Sequence, residues 1–394
     1  MTTPSLHCLR CGVLVTGFTG CPVCAAEGLG VNAAPPLADL AGLSLERYPG
    51  GPWGWPGALP VSAAPVTLGE GGTPNVRIPL TDSGPGELWV KNEGANPTGS
   101  HKDRAMSVGA AAALQAGADT VVAASSGNAG TAAAAYAARA GLRCVVFTTH
   151  EVPEPLRAQI DALGAARVER DDHAARNAAM REGVERLGWY PLTTFAQPPA
   201  GGNAYANEGY KSVAYEIARD FGERIGAVVV PTCRADLLSG IGRGFRELLA
   251  AGLVSRTPRL VAAEPAAAAP YTAALARTDR AEQEHTTVER GHSPAFSLGE
   301  SRPVWQGLDA LWRSGGRAVA VPTDEFMAEH RALGAQGLFV EPSSAVGVAA
   351  GRRWAYEHAE PVVVIGTATG LKDIASVPAG KAEERVPEVA RLTR

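Results

Sequence analysis

From about Val76 to Ile365, short runs rich in β-branched residues alternate with longer helix-forming runs, and glycine marks many of the joints. Strands are expected at Glu87–Lys91, Thr120–Ala124, Arg143–Thr148, Arg167–Glu169, Ala227–Pro231, Arg259–Ala263, Ala318–Val321 and Pro361–Ile365. Helices are expected at Met106–Gln115, Thr131–Arg139, Pro155–Leu163, Ala174–Leu187, Gly209–Phe221, Gly242–Ala251, Trp305–Arg313, Asp324–Leu333 and Ser344–His358. Gly117, Gly141, Gly164 and Gly188 punctuate the first half. Such alternation folds as an α/β structure, a parallel sheet covered by helices, because parallel strands need long crossovers. Residues 276–303 break the pattern and read as a long loop, or a helix with loops, that is free to move.

A chain of 394 residues buries a sizeable core and has room for two or three domains. Its net charge of −4 gives no electrostatic case for nucleic acid or an anionic membrane. No apolar run approaches a membrane span, and Met1-Thr2-Thr3-Pro4 leads straight to a cysteine pair without a signal-peptide pattern. A cytoplasmic protein is expected, and a reducing compartment argues against disulfides. Cys144 and Cys233 stand apart. Cys8, Cys11, Cys21 and Cys24 form two C-x2-C pairs nine residues apart. Four thiolates from two knuckles satisfy tetrahedral zinc and leave no open position, so the reading is a structural site over residues 1–30. Free thiols, a redox pair and an iron–sulfur cluster are the alternatives. Residues 31–66 are rich in Pro, Gly and Trp, as either a lead-in draped over the body or a flexible linker.

Three segments carry chemistry. In Asn96-Pro97-Thr98-Gly99-Ser100-His101-Lys102-Asp103-Arg104 a turn delivers a lysine to the start of an Ala-rich helix. The positive end of the helix dipole should depress its pKa, and a neutral amine is what a Schiff-base lysine needs. The plain alternative is a surface turn with a solvated lysine. Ser125-Ser126-Gly127-Asn128-Ala129-Gly130-Thr131 follows an apolar strand and opens a helix, which makes an anion site of its N–H groups. Gly366-Thr367-Ala368-Thr369-Gly370-Leu371-Lys372-Asp373 puts hydroxyls at the end of the last strand.

In this order the three segments resemble the threonine synthase-like branch of the fold-type II pyridoxal-phosphate-dependent enzymes, from about Leu68 to Asp373. The resemblance implies a tryptophan synthase beta-like fold: two αβα lobes over 67–394 with the cofactor in the cleft, the smaller lobe being about 95–200. It implies that Lys102 carries pyridoxal phosphate and moves the substrate Cα proton. Asn128 would meet the cofactor 3′-oxygen. Ser125, Ser126, Gly127 and Thr131 would surround the substrate carboxylate. Thr367 would face the pyridine nitrogen, with Thr369 as the rival position, and a neutral hydroxyl there favours elimination and replacement chemistry. The segment Asn203–Ser212, with its Glu208-Gly209-x-Lys211, would position substrate or close the site; a capped helix with a solvated Lys211 is the alternative. Glu341-Pro342-Ser343-Ser344-Ala345 would start a helix near the cofactor ring. The family is commonly dimeric, and its substrate is O-phosphohomoserine, converted to threonine. The rivals are β-elimination or β-replacement on serine, threonine, O-phosphoserine or diaminopropionate, and a non-catalytic binding protein on the same fold.

The chain departs from the family in two places. The phosphate loop after Val228–Pro231 reads Thr232-Cys233-Arg234-Ala235-Asp236-Leu237, where glycines are usual, with Arg234 as a substitute phosphate contact. His101 replaces the usual Phe beside the lysine, either as an acid/base group or as a packed imidazole. Asp103 and Arg104 read as anchors of the helix.

Overall fold

The computed structural model describes residues 4–80 and 84–377; residues 81–83 and 378–394 of the expected catalytic region lie outside them. A six-stranded sheet has the order Arg317–Val321, Arg259–Pro265, Ala227–Pro231, Val362–Gly366, Leu88–Asn92, Asn75–Ile78. All its pairs are parallel except the last. A parallel sheet covered on both faces needs strands that are apolar throughout. The two central strands, AVVVP and VVVIG, are buried at every position. Alternate residues feed different cores: Val228, Val230, Val363 and Ile365 join Phe245 and Leu238, while Val229, Val362 and Val364 join Phe326 and Trp354.

The second sheet is parallel and four-stranded, ordered Ala166–Arg170, Arg143–Thr149, Thr120–Ala124, Tyr190–Pro191. The helices Lys102–Gln115 and Asn128–Ala140 pack against it through buried alanines, Ala110 to Ala113 and Ala132 to Ala135. Small side chains permit that close approach.

The structure adds one short strand to each of these two sheets beyond the sequence reading. Asn75–Ile78 is an antiparallel edge, and Tyr190–Pro191 is too short to show a period. Three helices begin earlier than expected, at Lys102, Asn128 and Asp236. Their first turns are polar or glycine-bearing, so apolar periodicity does not register them. Within 276–303 the chain forms the helix Arg280–Glu284 and a 3-10 turn at Phe296–Leu298.

The Pro/Gly/Trp segment packs against the body. Trp55 is buried edge-to-face against Tyr215, and Trp53 Nε1 donates to Ser107 Oγ at 2.6 Å. Ahead of it lies a three-stranded antiparallel sheet of Leu14–Val15, Leu6–Cys8 and Ala33–Ala34. This module sits against the rim of the body. Gly30 approaches so closely that a Cβ there would lie 2.0 Å from the Pro199 carbonyl oxygen, and Asn32 Nδ2 donates to Gly202 O at 3.0 Å. Among the described residues no helix is long and apolar enough to cross a membrane.

Candidate active site

A cleft of about 450 Å³ opens where loops leave the ends of both parallel sheets, the usual place for ligands in such sheets. Lys102, Ser125, Ser126, Gly127, Asn128, Arg234 and Thr367 all line it. Thr131 does not: it is buried behind the loop, donating to Asn128 O at 2.9 Å and accepting from Lys372 Nζ at 3.0 Å. Thr369 is also set apart, its hydroxyl accepting from Leu371 N in a cap.

Backbone pairing joins the lysine turn to the last strand. His101 N donates to Thr367 O at 2.9 Å, Ser100 bridges to Ala368, and Thr369 N donates to Gly99 O at 3.0 Å. Asp103 fixes the turn by accepting from Thr98 N and Oγ1. Arg104 anchors the helix beneath it. Its guanidinium bonds both Glu93 and Glu216 at 2.7 Å, and Lys91 adds a 2.7 Å contact to Glu216, all fully buried.

Lys102 Nζ donates to the Tyr210 hydroxyl at 3.2 Å. Here the structure corrects the sequence argument. Burial pushes the amine down, but Tyr210 and Asp236 outweigh it and hold Lys102 above its ordinary pKa. The helix dipole is a local effect, and groups from two other segments reverse it. His101 is buried, and its Nδ1 donates to Thr367 O at 3.1 Å, which fixes the tautomer. Burial first, then Lys102, pushes the imidazole down to about 3, so it stays neutral. Burial pushes the Cys233 thiol up to about 12, so it is no thiolate at neutral pH.

Glu341 connects two expected site residues. Its carboxyl accepts from Asn128 Nδ2 at 3.1 Å and from Thr367 Oγ1 at 3.0 Å. Ser344 Oγ lies 2.9 Å from the same threonine hydroxyl. Burial pushes Glu341 up despite these two hydrogen bonds. The Asn128 Oδ1 atom is left buried and unpartnered. Along the chain Glu341 stands out only as the start of a helix.

The loop after Ala227–Pro231 ends with Ala235 at φ +57°, in the left-handed region that favours glycine. The helix Asp236–Ala250 follows, and the amides of Cys233 to Leu238 donate to no carbonyl among the described residues. Arg234 Nε bonds Glu300 at 2.9 Å. The Asp236 carboxyl accepts from Gly202 N and Asn207 Nδ2, both at 3.0 Å, and burial pushes it up. Lys211 lies outside the cleft, buried among Glu208, Glu247 and Ala58 O. Its neighbour Tyr210 is the residue of that segment that reaches the lysine. Nothing in the sequence pattern distinguishes Tyr210 from the rest of its turn.

At the N-terminus the sulfurs of Cys8 and Cys24 lie 3.7 Å apart, Cys11 and Cys21 3.6 Å, and Cys11 and Cys24 3.8 Å. A tetrahedron with ~2.3 Å zinc–sulfur arms has edges of about 3.8 Å, so the four thiols fit zinc.

The fold and the lysine-bearing cleft define a cofactor enzyme. Residues 66–368 match the family described as "Pyridoxal-phosphate dependent enzyme", and the chain belongs to it. It is a pyridoxal-phosphate-dependent lyase of the threonine synthase-like branch. The threonine synthase of Methanocaldococcus jannaschii is 33% identical over 342 residues, covering 84% of this chain and 82% of that protein. That of Methanosarcina acetivorans is 32% identical over 336 residues, covering 82% and 80%. A solved structure of O-ureido-L-serine synthase superposes with a TM-score of 0.63 at 25% identity, covering 80% of this chain and 96% of that one.

The cleft fits the cofactor at three points. It offers one amine at Lys102, an unpartnered buried atom on Asn128, and a row of unbonded amides at a helix start. The misfit is Asp236, a carboxyl where a phosphate would approach that helix start.

Proposed function

We propose that the protein converts O-phosphohomoserine to threonine: the Cγ–O bond breaks, phosphate leaves, and water adds its oxygen at Cβ. The observation that carries the reading is a single cleft uniting Lys102, Tyr210, Asn128 and Thr367 with the Ser125–Gly127 loop. Lys102 would hold pyridoxal phosphate, Asn128 its 3′-oxygen, Thr367 its ring nitrogen, and Arg234 with the Cys233–Leu238 amides its phosphate. The bound cofactor would take up the electron pair freed at the substrate Cα. Lys102 would remove the Cα proton, with Tyr210 orienting the amine. The Ser126 and Asn128 N–H groups at this helix start would receive the substrate carboxylate, since Ser125 N donates to Phe147 O and Gly127 N to Ser125 Oγ. Thr367 Oγ1 donates a hydrogen bond to Glu341 and lies 2.9 Å from Ser344 Oγ, so these two residues orient its hydroxyl. The four N-terminal cysteines would hold structural zinc.

The test is an absorbance spectrum of the protein with added pyridoxal phosphate beside that of Lys102→Ala, followed by phosphate release from O-phosphohomoserine and O-phosphoserine. A visible Schiff-base band that needs Lys102, with phosphate released from O-phosphohomoserine, is the expected result. No lysine-dependent band would favour the binding-protein reading. Release from O-phosphoserine alone would favour β-elimination.

A further inference from the structure

We propose that Glu341 is a positioning residue for the cofactor ring, and that it shares one proton with the ring nitrogen through the hydroxyl of Thr367. This rests on the reading of Thr367 as the ring-nitrogen contact and deepens it: the hydroxyl at that place is backed by a carboxyl.

Glu341 is buried at the start of the helix Pro342–Glu357. Its Oε2 accepts from Asn128 Nδ2 at 3.1 Å and its Oε1 from Thr367 Oγ1 at 3.0 Å. An amide N–H already points at Oε2, so a proton on this carboxyl belongs on Oε1, facing Thr367. The hydroxyl of Thr367 offers one hydrogen and two lone pairs. One lone pair is taken by Ser344 Oγ at 2.9 Å, because the other acceptor for that serine hydroxyl, Ala368 O, lies farther away at 3.5 Å. The carbonyl of Thr367 is held separately, by His101 N at 2.9 Å and His101 Nδ1 at 3.1 Å. Thr367 Oγ1 is left with one bond to Glu341 and one toward the cleft that the residue lines.

Two arrangements satisfy these bonds with the cofactor in place, and they differ in where one proton sits. With the proton on Glu341, its O–H donates to Thr367 Oγ1 and the threonine O–H donates to the ring nitrogen. With the proton on the ring, the ring N–H donates to Thr367 Oγ1 and the threonine O–H donates to the carboxylate. Every donor and acceptor is used in both, so the carboxyl and the ring nitrogen hold one proton between them. A buried carboxylate without a cationic partner is costly. The Lys372 amine favours an ionised Glu341 and Asp373 opposes it, but that amine bonds Thr131 and Gln159 rather than the carboxyl. Burial pushes Glu341 up, and a protonated ring across the threonine hydroxyl is the partner that offsets it. The protein thereby tunes how strongly the ring draws electrons from the substrate Cα.

The test uses protein loaded with pyridoxal phosphate that carries ¹⁵N in its ring, and reads the ring-nitrogen resonance. In the wild type it is expected to be displaced from the neutral pyridine position toward pyridinium. Glu341→Gln keeps a hydrogen-bonding side chain but cannot exchange the proton, so the resonance should move to the neutral position. Thr367→Val cuts the link and should move it the same way. Melting temperatures and the Lys102-dependent absorbance band show that each variant folds and carries the cofactor. A wild-type resonance at the neutral position overturns the proposal, whatever the variants do. A resonance that moves in Thr367→Val and stays in Glu341→Gln overturns it while leaving Thr367 as the ring contact. No movement in either variant overturns both the proposal and that reading of Thr367.

Discussion

The Lys102 amine donates a hydrogen bond to the Tyr210 hydroxyl at 3.2 Å, across 108 residues of sequence. This bond and the nearby Asp236 keep the amine protonated above its ordinary range, despite burial. Tyr210→Phe removes a partner of the charged form, so the lysine pKa falls. The rate at which pyridoxal phosphate attaches, followed against pH, should therefore have its inflection at lower pH than in the wild type. An unmoved inflection would show that Tyr210 does not tune the amine.

Asp236 places a carboxyl at the first residue of the helix that would receive the cofactor phosphate. Its negative charge opposes a phosphate there and offsets the helix dipole. Asp236→Asn should tighten pyridoxal phosphate by about tenfold, about 1.4 kcal/mol. The affinity for pyridoxal, which lacks the phosphate, should change little. Equal gains for both ligands would place the effect elsewhere.

Arg104, Glu93, Glu216 and Lys91 form one buried charge cluster under the lysine turn. Burial alone would raise both carboxyls, but Arg104 more than offsets it and holds Glu93 and Glu216 below their ordinary range. Their folded pKa values lie below the unfolded ones. The stabilisation is thus fully present above the unfolded carboxylate value and is lost as pH falls below it toward the folded values. Arg104→Ala should cost about 3–5 kcal/mol at neutral pH, because it strands two buried carboxylates. In denaturant melts across pH 3 to 7, roughly the window that brackets ordinary carboxylates, that deficit should shrink toward the acid end.

The N-terminal module reaches the cleft through a short chain of contacts: Asn32 bonds Gly202 O, and Gly202 N bonds Asp236. Arg10 pairs with Glu284, which also accepts from Trp305 Nε1. Purified protein should carry one zinc per chain, measured by elemental analysis. Chelation should lower the melting temperature by on the order of 5 °C and weaken cofactor binding. A metal-free protein with unchanged melting would leave the four thiols without a structural role.

Much of the architecture is legible along the chain. The runs AVVVP and VVVIG are apolar at every position, which only a doubly covered sheet strand requires. The Asn96–Arg104 turn and the paired cysteines are also local patterns. The helix start at Asp236 is not legible, because polar first turns carry no apolar period. Tyr210 and Glu341 look like ordinary helix or turn residues, since nothing near them in sequence reveals a partner.

Local chemistry along the chain sets which segments become strands and helices, where the lysine turn falls, and which cysteines are spaced for a metal. These follow from short-range periods, turn geometry and ligand spacing. Folding in three dimensions sets what surrounds the reactive groups: Tyr210 and Asp236 about Lys102, and Glu341 between Asn128 and Thr367. It reverses the expected direction of the lysine pKa, because electrostatics depends on distance through space, and the decisive neighbours come from distant parts of the chain.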